Sequence, residues 1–404
     1  MKRVLIIGGS LGGLIAANLF HRAGWDVQVF EKVPGEMGGR GAGIATHPEL
    51  LQVLARIGIP VDQGIGVQVM TRVTLDQAGH RIGDLHYPQV MTAWSYLYQL
   101  LRNALPAERY ASGKELVAVE QDTDQMRGQV RARFADGSVV SGDLLIGADG
   151  IRSTVRQQFL PGAGMRYAGY VAWRGLVEEA ELSPATHQSL FGHLGFCLPD
   201  REQMVGYPVA GANNALTEGE RRYNFVWYRP ADEAELRRLS TDDSGKVHDN
   251  GIPPPLISKA ILKEIRTDAE AILAPQFVEI VDHAPQLFFQ PIMDLASERI
   301  VFGRVALLGD AAFVARPHCG MGVTKAASDA TSLVDAITAL GLEQGLQRYD
   351  QERTAFGKRI VQHARHLGAY MQAQLQTEQE RAMAEQYRTP EAVMRETAVP
   401  PLLD

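Results

Sequence analysis

The chain has 404 residues, 45% hydrophobic and 22% charged, with a net charge of -7 and two cysteines, Cys197 and Cys319. This mildly acidic composition argues against nucleic acid or an anionic membrane as the main partner, and two cysteines make neither a disulfide framework nor a zinc cluster. They suit a reducing cytoplasm. No stretch approaches the ~20 apolar residues of a membrane span, and the apolar run after Arg3 stops at Gly8, too short for a signal-peptide core.

VLIIG, ending at Gly8, is a β-branched apolar run of the kind that forms a central parallel strand. GGSLGG follows, Gly8 to Gly13, and LIAANLFHRAG then carries apolar residues at helical spacing as far as Gly24. VQVFEK predicts a second strand ending at Glu31 and Lys32. This is the strand–turn–helix–strand setting of the dinucleotide fingerprint G-x-G-x-x-G, with Ser10 in place of the middle glycine. Gly8 permits the tight turn, Leu11 opens the helix, Gly13 lets helix and strand pack closely, and Glu31 can accept from a ribose hydroxyl. A pyrophosphate would sit on the helix N-terminus, and the Ser10 hydroxyl can donate to it. Taken alone, the pattern also suits a glycine-rich turn of an unrelated α/β protein.

Further along, PELLQVLARIG predicts a helix with Pro48 in its first position and Gly58 at its end, which puts His47 at the cap. Val73 to Tyr87 reads as a hairpin around Ala78-Gly79. DLLIGADGIRSTVR (Asp143 to Arg156) is a strand, an Asp149-Gly150 turn and a helix start. Residues 166–230 hold alternating strands that suit a mixed or antiparallel sheet, and Ser240 to Leu256 is a polar connector long enough for a loop or lid. VALLGDAAFVARPHCGMGVTKAASDA is another apolar strand, then Gly309-Asp310, then a loop through Pro317, Gly320 and Gly322 into a helix. Residues 343–389 have helical spacing and predict C-terminal helices, packed on the rest of the chain or on a second subunit.

These motifs together resemble the class A flavoprotein aromatic hydroxylases, the p-hydroxybenzoate hydroxylase-like FAD monooxygenases. GGSLGG with Glu31 is similar to their ADP-binding fingerprint. Asp149, Gly150, Ser153 and Arg156 fill their D-G-x-x-S-x-x-R motif, and Gly309-Asp310 their G-D motif, whose aspartate bonds the ribityl chain. RGAGI (Arg40, Gly43, Ile44) resembles the segment beside the isoalloxazine, and LQRYDQER the family's L-x-x-Y-E-x-x-R helix. Ser10, YVAWRG and RPHCGMG most resemble the branch acting on hydroxypyridines. Three positions depart from the pattern: Phe313 for a histidine, Thr324 for an asparagine, and Trp94 where many relatives carry arginine.

The resemblance implies an α/β fold: a Rossmann-like FAD-binding domain (1–72, 98–165 and 284–350), a mixed-sheet α+β substrate domain (73–97 and 166–283) and a C-terminal helical segment (351–404). It implies non-covalent FAD, held also by Pro317, Met321, Gly322 and Val323, and a transient NADH or NADPH, since no second fingerprint occurs. It also implies a flavin hydroperoxide that hydroxylates an electron-rich ring with dioxygen. The scattered histidines form no metal motif. His47, at the cap beside the expected flavin face, is the first candidate for deprotonating the substrate, or else a solvent-exposed loop histidine. Arg316 and His318 flank Pro317 in the loop that passes the ring. Arg316 could pair with a substrate anion, or make a surface ion pair. Cys319 reads as a pocket wall or a buried small hydrophobe; Tyr207 and Tyr228 as cavity lining or core. A non-oxygenating flavin oxidase or dehydrogenase, or an inactive FAD-binding protein, stays open; a halogenase lacks its W-x-W-x-I-P string here.

Overall fold

A computed structural model describes residues 1–35, 37, 43–122, 128–249 and 251–401. Its first sheet has six strands in the spatial order Val301–Phe302, Val305–Leu307, Leu144–Gly147, Arg3–Ile7, Asp26–Glu31, Tyr110–Ser112. All pairings are parallel except that of Val301–Phe302 with Val305–Leu307. Val4–Ile7 and Leu144–Gly147 are buried throughout, so they read as unbroken apolar runs rather than as alternation. The core around them draws on the helices Leu11–Arg22, Trp94–Ala104 and Gly322–Leu340. It also draws on a three-stranded sheet, Leu116–Gln121, Val130–Phe134 and Val139–Gly142, which the sequence reading did not resolve.

The second sheet has nine strands, ordered Phe313–Val314, Phe288–Ala296, Arg166–Glu178, Arg222–Pro230, Gln203–Val209, His193–Cys197, Val67–Leu75, Arg81–Ala93, Gly43–Ala45. His193–Cys197 runs parallel to Val67–Leu75 and the other pairs are antiparallel, so the sheet is mixed. Its two faces part by strand alternation. Trp173, Phe225 and Trp227 join a core with the helices Lys259–Ile272 and Pro275–His283. Tyr170, Ala172, Val226 and Tyr228 point the other way, into a cluster completed by C-terminal residues Ala369–Met371, Val393, Met394 and Ala398.

The hairpin around Ala78-Gly79 is present and longer than read, joining Val67–Leu75 to Arg81–Ala93. The connector after Ser240 is pinned by a Thr241–Val247 bridge and a short turn of 3-10 helix at Pro254–Leu256. The C-terminal helices are Leu342–Leu367, Glu378–Tyr387 and Pro390–Glu396. Among the described residues, no helix is long and apolar enough to cross a membrane.

Candidate active site

Three of the sequence motifs lie at the carboxyl ends of three adjacent parallel strands, where open α/β sheets place ligand contacts. In the first, Gly8 has a φ of +104°, and a Cβ there would lie 2.3 Å from the Ala148 carbonyl oxygen. A Cβ on Gly13 would lie 1.9 Å from the Gly8 oxygen, so neither position admits a side chain. Ser10 takes the cap position in extended backbone and its side chain makes no capping bond. The amides opening the helix Leu11–Arg22 are therefore left for an anion. Buried Glu31 accepts from the N–H groups of Gly9 (2.8 Å) and Val33 (2.9 Å), so it braces the turn and keeps lone pairs for a ribose hydroxyl. Lys32 is exposed beside it.

The second motif works as a strut. Asp149 accepts from the Ser153 hydroxyl (2.5 Å) and the Val155 amide (3.2 Å), and Ser153 caps the Arg156 amide at 2.9 Å. Arg156 then crosses to the third motif, donating to the carbonyls of Asp310 (3.3 Å) and Ala311 (3.1 Å). The G-D turn is also held from behind by the LQRYDQER helix. Tyr349 donates to the Leu307 carbonyl (2.8 Å), and Arg353 pairs with Asp329, whose other oxygen accepts the Gly309 amide at 3.1 Å.

Asp310 opens onto a cavity of about 290 Å³. Gly43, Ile44, Pro317, Gly320, Gly322 and Val323 line it on the expected cofactor side; Tyr207, Tyr228, Arg316 and His318 line it with Leu194, Val205 and Val226 on the other. Arg40 lies outside the described residues. Tyr207 donates to the Gly43 carbonyl at 2.9 Å, tying the substrate-side sheet to the segment expected beside the flavin. A larger, more polar cavity of about 780 Å³, lined by Arg166, Asp232 and Gln372, shares Arg316 with the first but none of the other predicted site residues.

His47 does cap its helix, with Pro48 first and Gly58 left-handed at the end, but it is buried rather than exposed. Its Nδ1 lies 2.8 Å from the Thr324 hydroxyl and its Nε2 lies 3.0 Å from the Ala398 carbonyl oxygen. A carbonyl only accepts, so Nε2 carries the proton and Nδ1 presents its lone pair. Burial lowers the pKa below the usual histidine value, which keeps the ring neutral. Thr324, a departure from the family pattern, is thus a partner of His47.

Arg316 is likewise no surface cation: its side chain is 1% exposed, with Nε donating to fully buried Asp294 (2.9 Å) and a terminal nitrogen to Gln372 (2.7 Å). Arg365 holds the other Asp294 oxygen at 2.6 Å, so the buried carboxylate is shared by two guanidiniums. The Tyr170 phenol lies 2.6 Å from His318 Nε2, and the Arg316 guanidinium sits over the Tyr170 ring at 5.6 Å from its centre. His318 Nδ1 takes no part in that bond. That atom is buried without a partner among the described residues, on a residue lining the cavity. Burial, then Arg316, pushes His318 down to about 3.

His47 is not among the residues lining this cavity, and two further expected contacts are elsewhere. Cys319, read as a pocket wall, is buried among Met321, Ile360, Ala364 and Leu367, and desolvation raises its thiol to about 11; Met321 packs there too. The cavity gains residues the sequence reading passed over: Arg174, Lys325, Thr397 and Ala398. Lys325 is 1% exposed and lies 3.5 Å from Asp329. Arg174 has a buried Nε and no hydrogen-bond or ion-pair partner among the described residues. The alternation of YVAWRG, with Trp173 in the helix-covered core, was the signal that could have turned Arg174 toward the ligand side.

Comparison with known proteins agrees with this geometry. Residues 1–196 and 263–364 match an FAD binding domain family, and 167–294 an FAD binding domain-like family. The 2,6-dihydroxypyridine 3-monooxygenase of Paenarthrobacter nicotinovorans is 32% identical over 92% of this chain and 91% of its own length. The 6-hydroxynicotinate 3-monooxygenase of Bordetella bronchiseptica is 28% identical over 89% of both. Among solved structures, 2,6-dihydroxypyridine-3-hydroxylase from Arthrobacter nicotinovorans superposes with a TM-score of 0.85 at 31% identity, over 93% of this chain and 94% of that one. An HpxO from Klebsiella pneumoniae, complexed with FAD and uric acid, shares the fold at a TM-score of 0.75 and 23% identity, over 98% and 95% of the two chains. The chain belongs to the FAD-binding family of flavin-dependent aromatic monooxygenases.

Proposed function

We propose that this monooxygenase hydroxylates a small anionic aromatic ring, a hydroxypyridine-type N-heterocycle, using dioxygen and NADH or NADPH. The carrying observation is the cavity shared by the G-D loop and an aromatic wall that holds the guanidinium of Arg174, unpaired among the described residues. The curated relatives with hydroxypyridine and hydroxynicotinate in their names point to the same substrate class.

The residues present fit FAD: the uncapped helix start at Ser10 for the pyrophosphate, Glu31 for the ribose, Asp310 for the ribityl chain, and Gly43, Ile44, Gly322 and Val323 along the ring. Bound there, FAD supplies electron transfer from the nicotinamide and activation of dioxygen. The protein's task is to position and deprotonate the substrate and to exclude water. Arg174 meets the ionised ring oxygen, the unpartnered Nδ1 of His318 meets a second polar atom, and Tyr207 and Tyr228 flank the ring. His47 is neutral until it accepts the substrate's proton at Nδ1 and becomes a cation; the Thr324 hydroxyl bonded there is a rotor and can pass that proton or yield the site. The G-D strut, the six-stranded sheet and the helix behind it form the cofactor half, and the nine-stranded sheet the substrate half. Cys197 and Cys319, both free and buried, suit a cytoplasmic enzyme.

The test is turnover of a hydroxypyridine under isotopically heavy dioxygen. Label in the product's new hydroxyl supports oxygenation, whereas a product without added oxygen, with hydrogen peroxide accounting for all the NAD(P)H, would establish an oxidase instead.

A further inference from the structure

The far end of the chain enters the site from outside both sheets. After the helix Pro390–Glu396, Thr397 and Ala398 line the cavity directly. Ala398 accepts from His47 Nε2 (3.0 Å) and Gln89 Nε2 (3.0 Å), and its own N–H donates to the His318 carbonyl at 2.7 Å. Both histidines of the site are therefore bonded to one residue of this tail. Ala398 holds a φ of +55°, a left-handed conformation that costs a non-glycine residue of order 1 kcal/mol and persists only where the surroundings impose it. A Cβ on Gly320 would lie 3.0 Å from the Ala398 Cα, so the 317–320 loop needs a glycine for the tail to pass.

What imposes the conformation is a buried cation. Arg72 is fully buried and pairs with no carboxylate among the described residues; it donates to the carbonyls of Met394 (2.7 Å) and Thr397 (2.5 Å), and to Gln89 Oε1 (2.9 Å). Gln89 in turn spans the Thr46 and Ala398 carbonyls. A guanidinium in such a place is costly unless its donors are met; the tail carbonyls and Gln89 meet its two terminal nitrogens, while Nε has no partner among the described residues. Desolvation lowers Arg72 to about 10, which leaves it charged at neutral pH.

From this geometry we infer that the tail Pro390–Ala398 is the closing wall of the substrate site, and that Arg72 and Ala398 are positioning residues for His47. The Ala398 carbonyl fixes the Nε2–H tautomer, so that Nδ1 is the nitrogen offered to the substrate. The tail also occupies space through which water would reach the ring. The inference rests on the reading of His47 as proton acceptor. Glu49 on the helix His47 caps and Arg72 on the strand Val67–Leu75 are the charged groups acting on it; Thr324, Gln89 and Ala398 approach as neutral partners.

The test uses the full-length, FAD-loaded protein labelled with nitrogen-15 histidine, with the His47 resonances assigned through His47→Gln. Proline lacks the N–H given to His318 and cannot adopt a φ of +55°, so Ala398→Pro dislodges the tail tip near the chain terminus without touching either sheet. Gln89→Met, of similar volume, loosens the same grip from the side. The expected wild-type spectrum shows His47 protonated at Nε2; both variants lose that pure tautomer, and the hydrogen peroxide formed per NAD(P)H rises at least threefold. Ala398→Gly keeps both backbone groups and retains the wild-type tautomer. An Nδ1-protonated His47 in the wild type, or an unchanged spectrum in Ala398→Pro, overturns the inference. Wild type with the expected tautomer but no ring-stimulated NAD(P)H oxidation leaves the tail geometry standing and rejects the catalytic reading of His47.

Discussion

The two halves of the site recognise their ligands in different ways. On the proposed cofactor side the contacts are mostly backbone amides, glycines and short caps within short stretches, Gly8 to Gly13, Asp149 to Arg156 and Gly309 to Gly322, joined by the carboxylates of Glu31 and Asp310. On the substrate side they are side chains from separate strands: Arg174 on Arg166–Glu178, Tyr207 on Gln203–Val209, Tyr228 on Arg222–Pro230, with Ala398 from the chain's far end. A ligand held by backbone needs a local conformation, and a local conformation leaves a local motif. A ring held by side chains needs the whole sheet first.

The largest expected effect strikes the local half. Gly13→Ala forces a Cβ into the Gly8 carbonyl, so the purified protein loses FAD; flavin absorbance per protein measures it, and a fully yellow variant would break the comparison. On the other half, His47→Gln keeps FAD but slows hydroxylation by about 10²–10⁴, the usual worth of general acid–base catalysis, with hydrogen peroxide replacing product. Rapid-mixing kinetics with the peroxide yield measured alongside separates those two losses. Arg174→Met removes a charge-assisted bond of about 1.5–3 kcal/mol, raising KM for an anionic substrate some 10- to 100-fold while flavin content stays unchanged.

The fourth prediction concerns pH and stability. His318 titrates near 3 in the folded chain and near 6.5 when unfolded, so the unfolded state binds more protons between those values. Stability is then full above pH 6.5 and falls by about 1.4 kcal/mol per unit as pH drops through that window. His318→Gln flattens the fall in denaturant midpoints between pH 7 and 5; an unchanged slope would show that His318 is not buried neutral. The smallest effect restores the fingerprint: Ser10→Gly changes FAD affinity less than threefold by titration, because Ser10 makes no capping bond to lose.

The turns of the proposed cofactor half were legible in the sequence, because Gly8, Gly13 and the Asp149 turn are demanded by backbone geometry that a few letters encode. It also placed His47 at its cap, though not its burial, which comes from Thr324 and Ala398, 277 and 351 positions away. Arg72 was out of reach for the same reason. Its burial comes from the tail, whose Met394 and Thr397 carbonyls it meets from 322 and 325 positions away. Cys319 was misplaced because the Pro317–Cys319 turn directs His318 to the cavity and its neighbour into the cluster around Ile360.

The most direct test of the central claim is NADH and NADPH oxidation by the FAD-loaded protein across hydroxypyridines, hydroxynicotinates and hydroxybenzoates, with product masses recorded. The account predicts a sharp rate increase with a hydroxypyridine-type ring and a product heavier by one oxygen atom. Oxidation that no ring accelerates, or that a ring accelerates without gaining oxygen, would contradict it.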